Sequence, residues 1–174
     1  MKKISFILVM VMMVITLAAC GEKESIGAST NNSKASVEPK EGYIFEYEGV
    51  TINIDALAEP IIAELGEPAS YFEAASCAFE GLDKMYTYNS VEIDTYPDEE
   101  GKDRISGIIF KDDMVETTEG VSLFETKADM IKAYGDKYTD ENGVLVYRKD
   151  GMKLCFILEE DEIVSIEYRT IVLD

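Results

Sequence analysis

The chain contains no histidine and no tryptophan. Without histidine there is no imidazole general base, no usual zinc ligand and no Ser-His or Cys-His pair. Carboxylate, lysine and tyrosine chemistry remain open, but the composition points away from an enzyme. Basic residues are scarce: 16 Lys and Arg stand against 35 Asp and Glu, for a net charge of −19. Two of those bases, Lys2 and Lys3, fall in a leader that holds no acid. A chain so acidic is not expected to bind nucleic acid, whose phosphates need cations. The charge either keeps the domain soluble or attracts a basic partner or divalent cations. Glycine-rich phosphate loops, Gly-x-Ser-x-Gly elbows and Cys-x-x-Cys pairs are missing too.

There are only three cysteines. One of them, Cys20, closes the most informative segment. Lys2 and Lys3 precede an apolar run from Ile4 to Leu17, and Leu17-Ala18-Ala19-Cys20-Gly21 follows. The run is shorter than the roughly 20 apolar residues of a membrane-spanning helix and suits a signal h-region. This layout resembles the lipobox of bacterial lipoproteins. The resemblance implies that residues 1–19 are a signal peptide and that Cys20 carries a diacylglycerol. Two acyl chains provide stable anchoring, since each buried methylene contributes about 0.8 kcal/mol. The expected location is the extracytoplasmic face of the cell membrane, with the lipid as anchor. Residues 21–42 are small and polar, and read as a flexible tether.

The other two cysteines, Cys77 and Cys155, invite a disulfide in an exported protein. However, Cys155 sits in the apolar strand pattern Leu154-Cys155-Phe156-Ile157, which suits a buried thiol better. Cys77 as a nucleophile would need a cationic setting, and only Lys84 is near in sequence.

From Tyr43 the pattern turns aromatic and β-branched. Residues 43–47 and 50–52 flank Glu48-Gly49 and predict a hairpin. An internal repeat follows. Ile61-Ile62-Ala63-Glu64-Leu65-Gly66-Glu67 aligns with Met130-Ile131-Lys132-Ala133-Tyr134-Gly135-Asp136, and Gly49-Val50-Thr51 aligns with Gly120-Val121-Ser122. Tyr86 aligns with Tyr147, and residues 103–110 align with residues 161–168. Each copy predicts a short helix, a short helical or irregular bridge and three strands. Thr126 and Asp129 resemble a capping box, Pro60 suits a first helical turn, and Gly66 and Gly135 mark helix ends. The strands are expected at 85–88, 91–96 and 104–110, then at 145–148, 152–158 and 163–169. Alternation places Met152, Leu154, Phe156 and Leu158 on one side of their strand, and Val164, Ile166 and Tyr168 on one side of the next. The expected class is α+β: two tandem helix–three-strand units sharing an antiparallel sheet under short helices. Repeat one covers about 43–113 and repeat two about 114–170, within a domain at 43–174.

This order of elements, with Tyr147, Gly151, Leu154 and Phe156 in a Tyr-x(3)-Gly-x-x-Leu-x-Phe pattern, resembles the β-lactamase-inhibitor-protein-like (BLIP-like) fold. It is also similar to the single-unit lipoproteins of outer-membrane assembly and to surface lipoproteins of Clostridia-type Gram-positive bacteria. The resemblance implies a curved sheet that binds another protein.

Residues 71–84 form an insertion that copy two lacks, either a site of added function or a loop packed over the sheet. The candidate protein contacts are Tyr71, Phe72, Phe79, Tyr86, Tyr88 and Tyr96, because tyrosine and phenylalanine bury large area with few rotors. The same residues also fit a half-buried pleat. Two acidic runs, Asp94, Asp98, Glu99, Glu100 and Asp103, and Glu159, Glu160, Asp161 and Glu162, lack the spacing of a calcium loop and read as solvated turns. No metal or cofactor is expected. The leading function is non-catalytic binding of a protein or peptide at the cell surface. A solute- or cation-binding accessory lipoprotein is the alternative, and a carboxylate-dependent wall hydrolase the third.

Overall fold

A computed structural model describes residues 42–174. The leader, Cys20 and nearly all of the tether lie outside the described residues. The class is α+β. The expected hairpin forms from β1 (Phe45–Tyr47) and β2 (Val50–Ile52). Glu48 and Gly49 both take positive φ there, as a two-residue hairpin turn of matching twist requires.

Helix α1 (Ala58–Leu65) starts without a side-chain cap, and its Pro60 lies in the first turn. Four strands follow: β3 (Ser70–Ala75), β4 (Leu82–Thr87), β5 (Val91–Pro97) and β6 (Asp103–Phe110). Helix α2 (Lys127–Tyr134) opens on the full capping box. The Asp129 amide donates to Thr126 Oγ1 (3.3 Å) and the Thr126 amide to Asp129 Oδ2 (3.1 Å), satisfying two otherwise orphan donors. Four more strands follow: β7 (Thr139–Glu141), β8 (Val144–Lys149), β9 (Met152–Glu159) and β10 (Glu162–Thr170).

The eight strands form one antiparallel sheet in the order β3-β4-β5-β6-β10-β9-β8-β7. The halves meet at β6 and β10, and the outermost strands are β3 and β7. Each half therefore has four strands, not the three expected. The additional strands stand where short helical or irregular bridges were expected. Neither shows alternation: every residue of β3 is exposed, and β7 is Thr-Asp-Glu. Edge strands are defined by main-chain pairing on one side, so burial leaves no period in their side chains.

Contacts in the first half recur in the second. The Asp55 amide donates to the Ile105 carbonyl at 2.9 Å, and the Phe124 amide to that of Ile163 at 2.9 Å. Asp55 and Phe124 are both non-glycine residues at positive φ. A β-bulge interrupts β6 at Ser106 and β10 at Val164. The Tyr88 hydroxyl donates to the Gly66 carbonyl (3.3 Å) and the Tyr147 hydroxyl to that of Gly135 (2.6 Å), each tying a strand to a helix end. Two expectations need correction. Tyr88, not Tyr86, occupies the position matching Tyr147. Ile163, not Val164, shares the buried side with Ile166 and Tyr168, because the extra residue of the bulge shifts the alternation.

One face of the sheet is covered by the two helices and the β1–β2 hairpin. Phe45, Phe110 and Tyr168 pack together over the β6–β10 junction, with ring centroids 5.1 to 6.2 Å apart. Ala58, Ile61 and Met130 supply the buried residues of the helices, and Ile93, Ile108, Leu154, Phe156 and Ile166 lie beneath. No helix among the described residues is long and apolar enough to cross a membrane.

The Tyr147 bond is short and half-buried, so Tyr147→Phe should destabilise the domain by about 1 kcal/mol. Tyr88→Phe should cost less, because its bond is longer. Urea denaturation of the two variants measures the difference; equal midpoints, or no shift for Tyr147→Phe, would contradict this reading of the strand-to-helix ties.

Candidate functional site

The six candidate contact residues separate into three groups. Tyr71 and Phe72 stand on the edge strand β3, 48% and 61% exposed. Register puts Tyr71 opposite Tyr86, with rings 5.1 Å apart, and Phe72 opposite Met85 on the other face. The Tyr71 hydroxyl donates to Glu73, and that bond raises its pKa. Tyr86 and Phe79 are half-buried; Phe79 packs on Tyr96 at 5.6 Å.

Tyr88 and Tyr96 are withdrawn from any contact surface, since both are buried, Tyr88 in the core and Tyr96 beneath Phe79. Their hydroxyls are used internally, Tyr88 on Gly66 and Tyr96 on Asp55 (3.1 Å). Burial, then the Asp55 carboxylate, pushes the Tyr96 pKa up to about 12. Alternation alone cannot distinguish such a ring from an exposed one, because both sheet faces carry aromatics.

The insertion is not a loop over the sheet. It is the outer hairpin, β3 and β4, joined by residues 76–81. Cys77 lies in that connection and is exposed, not a buried small hydrophobe. Lys84 is held by Asp103 at 2.5 Å, so it is committed elsewhere. Cys155 is buried, and both thiols are free, so the disulfide is not formed.

Of the acidic runs, Asp98, Glu99 and Glu100 and the pair Glu160 and Asp161 lie in turns, whereas Asp94 is inside β5 and bound to Arg169, and Asp103 opens β6 and binds Lys84. Asp98 accepts from the Glu100 and Lys102 amides at 2.9 Å each and from Arg104 Nε at 2.7 Å. Burial opposes ionisation, but those donors hold the Asp98 carboxyl below its ordinary range. Among the described residues, no group of three Asp, Glu or Cys is placed to hold a metal ion.

The sheet face away from the helices carries the feature the sequence reading missed. Arg169, on β10, lies opposite Gly107. The absent side chain at Gly107 leaves room for the guanidinium, since a Cβ there would stand 2.7 Å from Arg169 Nη1. Arg169 thereby crosses β6 to Asp94 (2.8 Å) and also binds Glu167 (2.9 Å). Beside this chain of charges lies an open depression of about 410 Å³, floored by Val144, Val146, Cys155 and Ile157. Strands β8 and β9 are apolar on both faces, and that is the available sequence signal of a second partly covered surface. Burial pushes the Cys155 thiol up to about 11, so it stays protonated and is no ready nucleophile.

The chain matches no protein-family model, no curated protein and no solved structure.

Burial raises the Asp94 pKa despite Arg169. A carboxyl raised by folding weakens the fold as pH climbs through the raised value, and ceases to do so once protonated. Arg169→Met should raise it further and destabilise by about 2 kcal/mol at pH 7, less than a fully buried pair would. That loss should shrink as the pH falls to about 4, where even an ordinary carboxyl is half protonated. Denaturant titrations at both pH values check the sign; a loss that grows in acid would refute it.

Proposed function

We propose that this chain is a membrane-anchored, extracytoplasmic lipoprotein whose domain binds a protein or peptide without catalysing a reaction. The observation that carries the binding reading is β3. It is an edge strand of six exposed residues that presents Tyr71 and Phe72 to solvent. An edge offers unpaired main-chain donors and acceptors, and proteins usually blunt it with lysine, proline or a bulge. Strand β3 contains none of these, and its one charge, Glu73, is bound by the Tyr71 hydroxyl. A partner strand can add there, with main-chain bonds for affinity and the two rings for side-chain recognition. The opposite edge, β7, is three residues long and carries Asp140 and Glu141.

We read the domain as two tandem copies of one unit, in the manner of the BLIP-like fold. The support is the recurrence of unusual features in the same order: the positive φ at Asp55 and Phe124, the bulges at Ser106 and Val164, and the tyrosine bonds to Gly66 and Gly135. The anchor rests on the lipobox around Cys20.

Two measurements test the two halves of the proposal. Labelled fatty acid should enter the wild-type chain and not Cys20→Ser; equal labelling would remove the anchor. A photoreactive phenylalanine analogue at position 72 should crosslink one discrete partner in native cells, and the same analogue at position 137 should not. Phe72→Lys should reduce the partner's affinity about tenfold, as loss of an aromatic anchor does. Indistinguishable crosslinks from the two positions would remove β3 from the binding surface.

A further inference from the structure

After β10 the chain does not leave the sheet. It turns back over the open face. The Ile171 amide donates to the Gly151 carbonyl at 3.3 Å, and the Val172 amide to Thr170 Oγ1 at 3.1 Å. Leu173 and Asp174 then form one wall of the depression. The Asp174 carboxylate binds Lys153 Nζ and lies 3.5 Å from Arg148 Nη1.

Three features set this contact apart from an ordinary surface pairing. First, Lys153 has no other ion-pair partner among the described residues, whereas Arg148 also holds Glu141 and Arg169 is held by Asp94 and Glu167. Second, its side chain is only 20% exposed and faces an apolar floor. Without Asp174, an ammonium group would border that floor with no carboxylate paired to it, because the other two acids of the lining, Glu141 and Glu167, are held by Arg148 and Arg169. In a chain of net charge −19 this is the unusual element: a cation that needs an acid from elsewhere. Third, the segment that supplies the acid is lightly held. Val172 and Leu173 are 50% and 44% exposed, so little apolar area is buried in keeping it there. A strap of this kind opens at a small cost in free energy.

We propose that the depression between β8, β9 and β10 is a subsite for a peptide segment bearing an aliphatic side chain followed by a carboxylate, with Leu173 and Asp174 as the chain's own occupant. The aliphatic group lies along Val144, Val146 and Ile157. The carboxylate takes the place of Asp174 between Lys153 and Arg148. An incoming ligand must displace the strap, so apparent affinity is lowered by the fraction of molecules in which the strap is seated. The proposal rests on the reading of the domain as a peptide binder, but on residues other than β3.

Cys155 in the floor supplies a reporter. Its alkylation can be followed site by site with mass spectrometry on the full chain, with Cys77 as an internal reference. The double variant Leu173→Gly, Asp174→Gly should raise the Cys155 rate about tenfold and leave the Cys77 rate unchanged. In that variant, millimolar acetyl-Ile-Val-Leu-Asp-amide should restore protection, and the same peptide ending in asparagine amide should not. Should the double variant lose its circular dichroism, Lys153→Met replaces it; the strap then lacks its main partner, and Cys155 should again react faster. An unchanged Cys155 rate in a folded variant overturns the proposal, as does equal protection by the two peptides. Failure here with a successful crosslink from position 72 removes this subsite alone. Protection here with no crosslink at β3 moves the binding surface to this face.

Discussion

The junction of β6 with β10 is the constraint on which the rest of the structure depends. Only three paired positions join the two halves of the sheet: Glu167 with Ile109, Tyr168 with Ile108, and Arg169 with Gly107. So short a ladder needs reinforcement on both faces. On the covered face, Phe45 of the N-terminal hairpin packs against Phe110 and Tyr168, one ring from each side of the junction. On the open face, Arg169 reaches across Gly107 to Asp94. Burial of an aromatic cluster supplies the larger, non-directional part of the stabilisation. The ion pair supplies register, because a slip of one residue would place Arg169 against a side chain and not against Gly107. The two halves are thereby locked into a single sheet with one dry face and one partly wet face.

That division of faces explains why the two candidate contact regions lie where they do. The covered face is used up by helices, the hairpin and the tyrosine-to-carbonyl bonds, and it holds Tyr88 inside; Tyr96, on the side of β5 that carries Asp94, is covered by Phe79 instead. What remains uncovered is an edge and the open face. The β3 edge offers main-chain groups with two rings. The open face offers a charge pattern in which Arg148, Lys153 and Arg169 are each already matched, Lys153 by a segment that is itself half exposed. Both are places where the fold leaves an interaction incomplete or reversible, which is a physical requirement for a surface that must take up and release something.

Much of the fold was legible because local and tertiary signals agree in it. The capping box of Thr126 and Asp129, the stops at Gly66 and Gly135, and the two-residue turn at Glu48-Gly49 each have a backbone cause that a sequence displays. Met152, Leu154 and Phe156 alternate because one face is dry. The errors fall where that agreement breaks. Strand β7 is polar throughout, and its only local sign is Asn142-Gly143, a hairpin turn with both residues at positive φ. The bulge at Val164 moved the buried position to Ile163, and a period-2 reading cannot show an extra residue. Strand β3 has no period at all, since neither of its faces is covered.

The site was less legible than the fold for a related reason. Aromatic residues carry the same sequence signal whether they anchor a core or a partner, so Tyr88 and Phe72 look alike until burial separates them. Charge pairs are worse, because Arg169 and Asp94 are far apart in the chain and meet only through the register of β5, β6 and β10. The depression is built from such long-range register, with Val146 opposite Cys155 and Cys155 opposite Glu167 on three neighbouring strands. A sequence holds that information only through the pairing of whole strands. The one local trace is that β8 and β9 are apolar on both sides, and a strand with two apolar faces in a singly covered sheet marks where a second cover is to be sought.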